Sequence, residues 1–343
     1  MSKPAQDKQA TVYDIARVAG VSASTVSRIL NGTAKVAEDK RIAVEEAIKE
    51  LNYRPNLMAL YLKTGQSMTL GVLTQYVDSP FSNEMLRGVE HALQGLKYAP
   101  LIASGHWNEE EEIERLKLLI DRRVDGIIIL TGHVNQQALI EFSHQVPIVA
   151  TGHNINTERV RTFSINNQLG GYMATRYLLD LGHRQIAHIF GLPDQNDAIE
   201  RKHGYRQALL GAGVEYDPEL VVQGDFTEAG GFNAVKKLVA SGKKFTAIFC
   251  ANDQTCYGAI LGLKQCGLRV PEDVSLIGFD DLPFSSFSNP PLKTVRQPIY
   301  ETGVAMVNTL LGLIEHSERT IDELPELSIV VRDTTMPYDS NKG

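Results

Sequence analysis

From residue 70 onward the sequence alternates short apolar runs with amphipathic stretches, and this alternation leaves few folds open. LGVLTQ, PLIASG, DGIIILTG and PIVATG are separated by helical stretches at 83–96, 109–122 and 135–144. RQIAHIFG, LVVQGDF, FTAIFCAND and VSLIGFDD follow, separated by helical stretches at 201–211, 229–240 and 254–266. Runs this apolar are strands buried on both faces, so the sheets are expected to be parallel with helices on either side. Right-handed crossovers then give two doubly wound α/β halves. In such sheets ligands bind beyond the carboxyl ends of the strands, and two halves facing each other make a cleft.

The first 65 residues follow a different pattern. They carry six lysines and four arginines against seven acids, whereas the rest of the chain has 24 basic and 34 acidic residues. A basic segment on an acidic body suggests an anion-binding module joined to a body that binds something else. Thr11 with Asp14 three residues on is a capping-box start for a helix carrying Ile15, Ala16 and Val18, which Gly20 ends. Ser22 caps a second helix, 23–30, with Val26, Ile29 and Leu30 inward, and Asn31-Gly32 stops it. A third helix presents Val44, Ala47, Ile48 and Leu51. Two short helices about a glycine turn followed by a third form a helix-turn-helix unit whose second helix reads DNA. Ser24, Thr25, Ser27 and Arg28 lie on its outer face, with no acid between Val21 and Ala37 to repel phosphate.

The strings YDIARVAGVSASTVSRILNG and VEEAIKELNYRPN resemble the headpiece of the lac/galactose repressor family of bacterial transcription regulators. The resemblance assigns base reading to Ala23, Ser24 and Arg28, and Thr25, Ser27 and Asn31 complete the face expected against DNA. Beyond Pro55, Asn56 is suited to cap LMALYL, too apolar for an exposed linker. The segment's residues alone equally allow packing on the core; the resemblance makes it a hinge helix that pairs with its twin in a homodimer and wedges a leucine into the minor groove, with Leu62 and Ala59 at the matching positions. The expected organisation is a headpiece over 1–54, a hinge over 55–68 and a two-lobed effector-binding and dimerisation core over 69–338.

At the strand ends of the core stand Gln75, Asp78, Phe81, Ser82, Phe226, Asn252, Asp253, Asp280 and Asp281, with Arg201 at a helix start. Carboxylates, amides and a guanidinium take sugar hydroxyls bidentately, and aromatic rings take the apolar ring face. RKHGYRQAL, TAIFCANDQTCYGA, GLRVPEDVSLIGFDD and NPPLKTVRQP resemble the core of the same family, which has the fold of periplasmic sugar-binding proteins. The resemblance carries effector contact to Phe81, Ser82, Arg201, Phe226, Asn252, Asp280 and Gln297. DQNDAIE, before Arg201, lacks the Arg and Thr with which a purine-responsive member holds its base, which favours a sugar or sugar derivative. Gly152-His153 stands where some members place an acid.

These readings make the chain a regulator, most readily a repressor of carbohydrate-utilisation genes, that binds palindromic operator DNA as a homodimer. A catabolite-control regulator with a phosphoprotein corepressor is the alternative within gene regulation. A transport-type binding protein would need a secretion signal and would leave the basic headpiece unexplained. An enzyme is not expected, since GxSxG, HExxH, Walker A and strand-linked GxGxxG motifs are missing. No cofactor or metal is expected, because Cys250, Cys256 and Cys266 lack metal-ligand spacing and suit a reducing cytoplasm. The apolar runs are too short to span a membrane.

Overall fold

The computed structural model describes residues 10–31, 36–53, 65–130 and 132–339. The chain divides into two compact units between Ser67 and Met68. The hinge segment expected to hold Ala59 and Leu62 lies outside the described residues.

In the smaller unit, α1 (Val12–Val18), α2 (Ala23–Asn31) and α3 (Glu38–Glu50) surround Ile15, Val26 and Val44, each fully buried. The capping box closes α1: Asp14 N donates to Thr11 Oγ1 at 3.3 Å and Thr11 N to Asp14 Oδ2 at 2.9 Å. The Thr11 hydroxyl, which donates to Asp14 Oδ2 at 2.7 Å, and after it the Thr11 N–H hold the Asp14 carboxyl below its usual range. Thr25 N donates to Ser22 Oγ at 3.2 Å, so the expected cap of α2 also forms.

The larger unit is two α/β lobes. The first contains β1 (Thr69–Thr74), α4 (Pro80–Leu93), β2 (Ala99–Ser104), α5 (Glu109–Asp121), β3 (Gly126–Ile129), α6 (Gln136–Ser143), β4 (Ile148–Thr151) and β5 (Val160–Phe163). Its sheet is parallel throughout, in the order β2-β1-β3-β4-β5. The second lobe contains α7 (Asn167–Asp180), β6 (Ile186–Phe190), α8 (Asn196–Gly211), β7 (Val221–Gln223), α9 (Glu228–Ala240), β8 (Ala247–Cys250), α10 (Asp253–Gln265), β9 (Ser275–Asp280) and β10 (Thr294–Arg296). The chain then forms α11 (Ile299–Glu315) and β11 (Ser328–Val330). The second sheet runs β11-β10-β9-β8-β6-β7, with β11 antiparallel at its edge.

Period-two alternation covers both faces of each sheet. In the first lobe Leu70, Val72 and Ile128 face α4 and α11, while Leu73, Ile127 and Ile129 face α5 and α6. In the second, Ile189, Ile248 and Leu276 pack with α9 and α10, and Phe249, Ile277 and Phe279 with α7 and α8. Five elements are additional to those expected from periodicity: β5, α7, β10, α11 and β11. Of these α11 matters most, because it leaves the second lobe and packs Met306, Val307, Leu310 and Leu311 into the first.

Glycines bring helices close where they cross. A Cβ at Gly171 of α7 would lie 2.9 Å from both Cα and the carbonyl carbon of Arg201 on α8. Reciprocally, a Cβ at Gly204 would lie 3.0 Å from the carbonyl carbon of Gln168. Gly88 and Gly303 play the same part between α4 and α11, and Gly231 and Gly258 between α9 and α10.

Candidate functional site

The carboxyl ends of the strands converge on a cavity of about 450 Å³ between the lobes. The first lobe lines it with Gln75, Tyr76, Asp78, Phe81 and Trp107; the second with Gln195, Asp197, Arg201, Phe226, Asn252 and Asp280, among others. A smaller chamber of about 270 Å³ adjoins it, sharing Phe81 and Asp197, and adds His153, Glu200 and Gln297.

The buried Arg201 guanidinium is held on three sides. Nε donates to Asn167 Oδ1 at 2.9 Å, Nη1 donates to the Ala251 carbonyl at 2.6 Å, and the group lies 3.7 Å from the Phe279 ring centroid. Asp280 is 3.9 Å from Arg201, and its Oδ1 accepts from Gln297 Nε2 at 2.6 Å. Burial pushes the Asp280 carboxyl up to about 8, against the pull of Arg201. Its φ of 120°, followed by 61° at Asp281, puts two strained residues at the end of β9, a conformation that surrounding contacts must sustain. Asn252 Oδ1 accepts from Thr255 N at 3.0 Å, capping α10, while Nδ2 donates to the Phe226 carbonyl at 3.0 Å. That bond holds the Phe226 turn, where φ is 65°. Gly191 makes room for the ring, which a Cβ there would overlap.

Of the effector contacts carried over from the resemblance, Phe81, Arg201, Phe226, Asn252 and Asp280 line the larger cavity, and Gln297 lines the smaller chamber behind Asp280. Ser82 departs from the expectation. It is 1% exposed, does not line either chamber, and its Oγ accepts from Thr74 Oγ1 at 2.9 Å inside the first lobe. Asp253 is also a brace, accepting from Leu282 N at 2.9 Å and Ser285 Oγ at 2.6 Å. Asp281 pairs with Arg332 at 2.7 Å.

The structure adds residues that the sequence did not single out: Trp107, Gln195, Asp197, Asp225 and Gln254. Trp107, the chain's single tryptophan, stands just past β2, where the strand-end rule points equally well. Three polar atoms at these walls are buried and have no hydrogen-bond partner among the described residues: Gln75 Nε2, Gln195 Nε2 and, in the smaller chamber, His153 Nε2. Burial pushes the His153 imidazole toward its neutral form.

In the smaller unit, Ser24 and Arg28 are exposed on α2, while Ala23, Thr25 and Ser27 are half-buried. Ser22 Oγ lies 2.8 Å from both Ser24 Oγ and Thr25 Oγ1, a hydroxyl cluster at the start of the helix. Asn31 ends the helix. Among the described residues no helix is long and apolar enough to cross a membrane, and no cluster of potential metal ligands occurs.

Two family descriptions match the chain. "Bacterial regulatory proteins, lacI family" covers residues 11–56, and "Periplasmic binding proteins and sugar binding domain of LacI family" covers 67–326. The HTH-type transcriptional repressor PurR of Aliivibrio fischeri is 36% identical over 325 residues, 93% of this chain and 96% of that protein. The solved complex of the transcriptional regulator CelR with cellobiose is 34% identical, with a TM-score of 0.69 over 95% of this chain and 100% of that one. The Lac repressor dimer bound to operator and the anti-inducer ONPF is 29% identical, with a TM-score of 0.83 over 96% and 100%. With its helix-turn-helix unit and two-lobed core, this chain belongs to the LacI family of bacterial regulatory proteins, DNA-binding transcriptional repressors with a small-molecule-binding core.

Proposed function

We propose that the protein represses carbohydrate-utilisation genes from the cytoplasm, as a homodimer on a palindromic operator whose affinity is set by a sugar bound between the lobes. The observation that carries this reading is the trio of buried, unpartnered polar atoms of Gln75, Gln195 and His153. Burying such groups costs free energy unless a ligand bonds them, and sugar hydroxyls both donate and accept. Phe81, Trp107 and Phe226 supply apolar faces for a ring, and Asp280 and Arg201 lie at the same wall. The bound cellobiose of CelR and the dimer of the Lac repressor support the sugar and homodimer parts.

On DNA, Ala23, Ser24 and Arg28 read base edges from α2, with Thr25, Ser27 and Asn31 toward phosphate. Ala59 and Leu62 act at the minor groove between half-sites.

The test is a thermal-shift and Trp107 fluorescence screen of neutral mono- and disaccharides, with hypoxanthine and guanine alongside. A saturating ligand at about 100 times its dissociation constant adds about 2.7 kcal/mol of stability. The expected hit is a sugar that also changes operator affinity in a gel-shift assay. A hit confined to the nucleobases, or a sugar that leaves operator affinity unchanged, refutes the proposal.

A further inference from the structure

The charge around the cleft is one-sided. Asp78, Asp197, Asp225 and Glu228 line the larger cavity beside Asp280, whose carboxyl burial holds toward its neutral form, against Arg201 as its single cation among the described residues, and Glu200 adds a carboxyl group to the smaller chamber. Arg201 is already committed, its Nε and Nη1 bonding to Asn167 and Ala251 and its charge facing Asp280 at 3.9 Å. Anion sites are built from clustered guanidinium groups, ammonium groups or helix N-termini; of the four helices among the described residues that start at this cleft, α8, α9 and α10 each carry an acid in the first turn, Asp197, Glu228 and Asp253, which sets negative charge at the end an anion would use. A phosphate or carboxylate brought between these walls would meet several carboxylates and no uncommitted cation on them. Hydroxyls, in contrast, donate to carboxylates and accept from amide groups such as Gln75 Nε2 and Gln195 Nε2.

We infer that the effector is a sugar bearing no anionic group, and that the cleft discriminates against sugar phosphates and uronic acids. This rests on the sugar reading above and narrows it to a chemical class. Part of the selection is electrostatic, so it weakens as salt screens the wall charges, whereas exclusion by shape would not respond. It also depends on wall charges that can be removed without changing side-chain size. Asp78 and Glu228 are exposed at the mouth, the latter accepting from Gln254 Nε2 at 3.2 Å.

The full-length protein is titrated calorimetrically with glucose, galactose, cellobiose, maltose and trehalose, with glucose 6-phosphate, trehalose 6-phosphate, glucuronate and galacturonate, and with hypoxanthine and guanine. The expected result is that a neutral sugar binds at least tenfold more tightly than its anionic counterpart. Raising the ionic strength, or the double change Asp78→Asn with Glu228→Gln, should narrow that gap. An anionic sugar that binds as tightly as its neutral counterpart, or a gap that neither salt nor the double variant moves, overturns the inference while leaving the sugar reading in place. Binding of nucleobases alone, or of nothing in the panel, overturns the sugar reading and this inference with it.

Discussion

A close approach of α7 to α8 falls on the backbone of Arg201 itself, so Gly171→Ala couples core packing to effector binding. A Cβ at 171 would lie 2.9 Å from Arg201 Cα and from its carbonyl carbon, whereas non-bonded carbons settle at about 3.5–4.0 Å. The helices must therefore part by roughly 0.6–1.1 Å. Overpacking of this kind costs about 1–3 kcal/mol. At about 2–4 °C per kcal/mol for a unit of this size, a mid-range loss lowers the melting temperature by roughly 4–8 °C. The same displacement carries Arg201 away from the Ala251 carbonyl, 2.6 Å from Nη1, and from Asn167, 2.9 Å from Nε. Hydrogen bonds to charged groups contribute about 1.5–3 kcal/mol, so effector affinity should fall about 10- to 150-fold if one such contact is lost. Gly88→Ala is the control. Its Cβ would lie 3.0 Å from the Tyr300 carbonyl carbon and 3.1 Å from Val304 N, a comparable clash within the first lobe that does not involve Arg201. Thermal melts and calorimetry on both variants give the comparison. If Gly171→Ala binds the effector as wild type does, or if both variants lose affinity equally, the proposed path from the helix crossing to Arg201 is wrong.

Three further outcomes are expected. Burial pushes the His188 imidazole down to about 3, and Lys202 and Arg201 add to that effect, so the folded state holds it neutral. Its contribution to stability is full above the unfolded value near 6.5 and is lost as pH falls through the interval down to about 3. His188→Phe, between the stacked Phe249 and Tyr205 rings, should remove up to about 1.4 kcal/mol per pH unit of that loss; parallel wild-type and variant curves in urea melts across this range would contradict the assignment. Arg28→Ala should cost about 1–3 kcal/mol and relax base preference at one position of each half-site, and an unchanged operator from binding-site selection would show that Arg28 does not read a base. By linkage, operator DNA must change effector affinity by the same factor, typically about 5- to 150-fold, as the effector changes operator affinity; equal effector dissociation constants with and without operator would exclude coupling.

Short-range features were legible in the sequence. The Thr11–Asp14 capping box and the Ser22 cap join residues three apart, and hydrogen bonds over that distance need only the local backbone. Strand faces were equally readable: the alternation that sends Ile127 and Ile129 one way and Ile128 the other is a property of extended chain. The strand-end rule also brought Phe81, Phe226, Asn252 and Asp280 to the cavity. It failed for Ser82 because the rule places a residue near the ligand without fixing which way a first-turn helical side chain points, and here it points back to Thr74.

What the sequence left undetermined depends on segments far apart in the chain. That α11 returns to the first lobe follows from burying Met306 and Leu310 against α4 and β3, and the apolar face of α11 fits other sheets equally well until the fold is complete. Gly204 reads as an ordinary helix glycine and Gly171 falls in a helix that periodicity did not show, until α7 and α8 cross at them. Gln75, Trp107 and Gln195 acquire a common purpose only when two lobes, joined at separate points of the chain, face each other. Hydrogen-bond reach and side-chain periodicity act over a few residues, so sequence alone establishes the strongly periodic elements and their buried faces, but not β5, α7, β10, α11 or β11. The cleft arises from packing between elements more than a hundred residues apart, and that convergence is decided only by the tertiary structure.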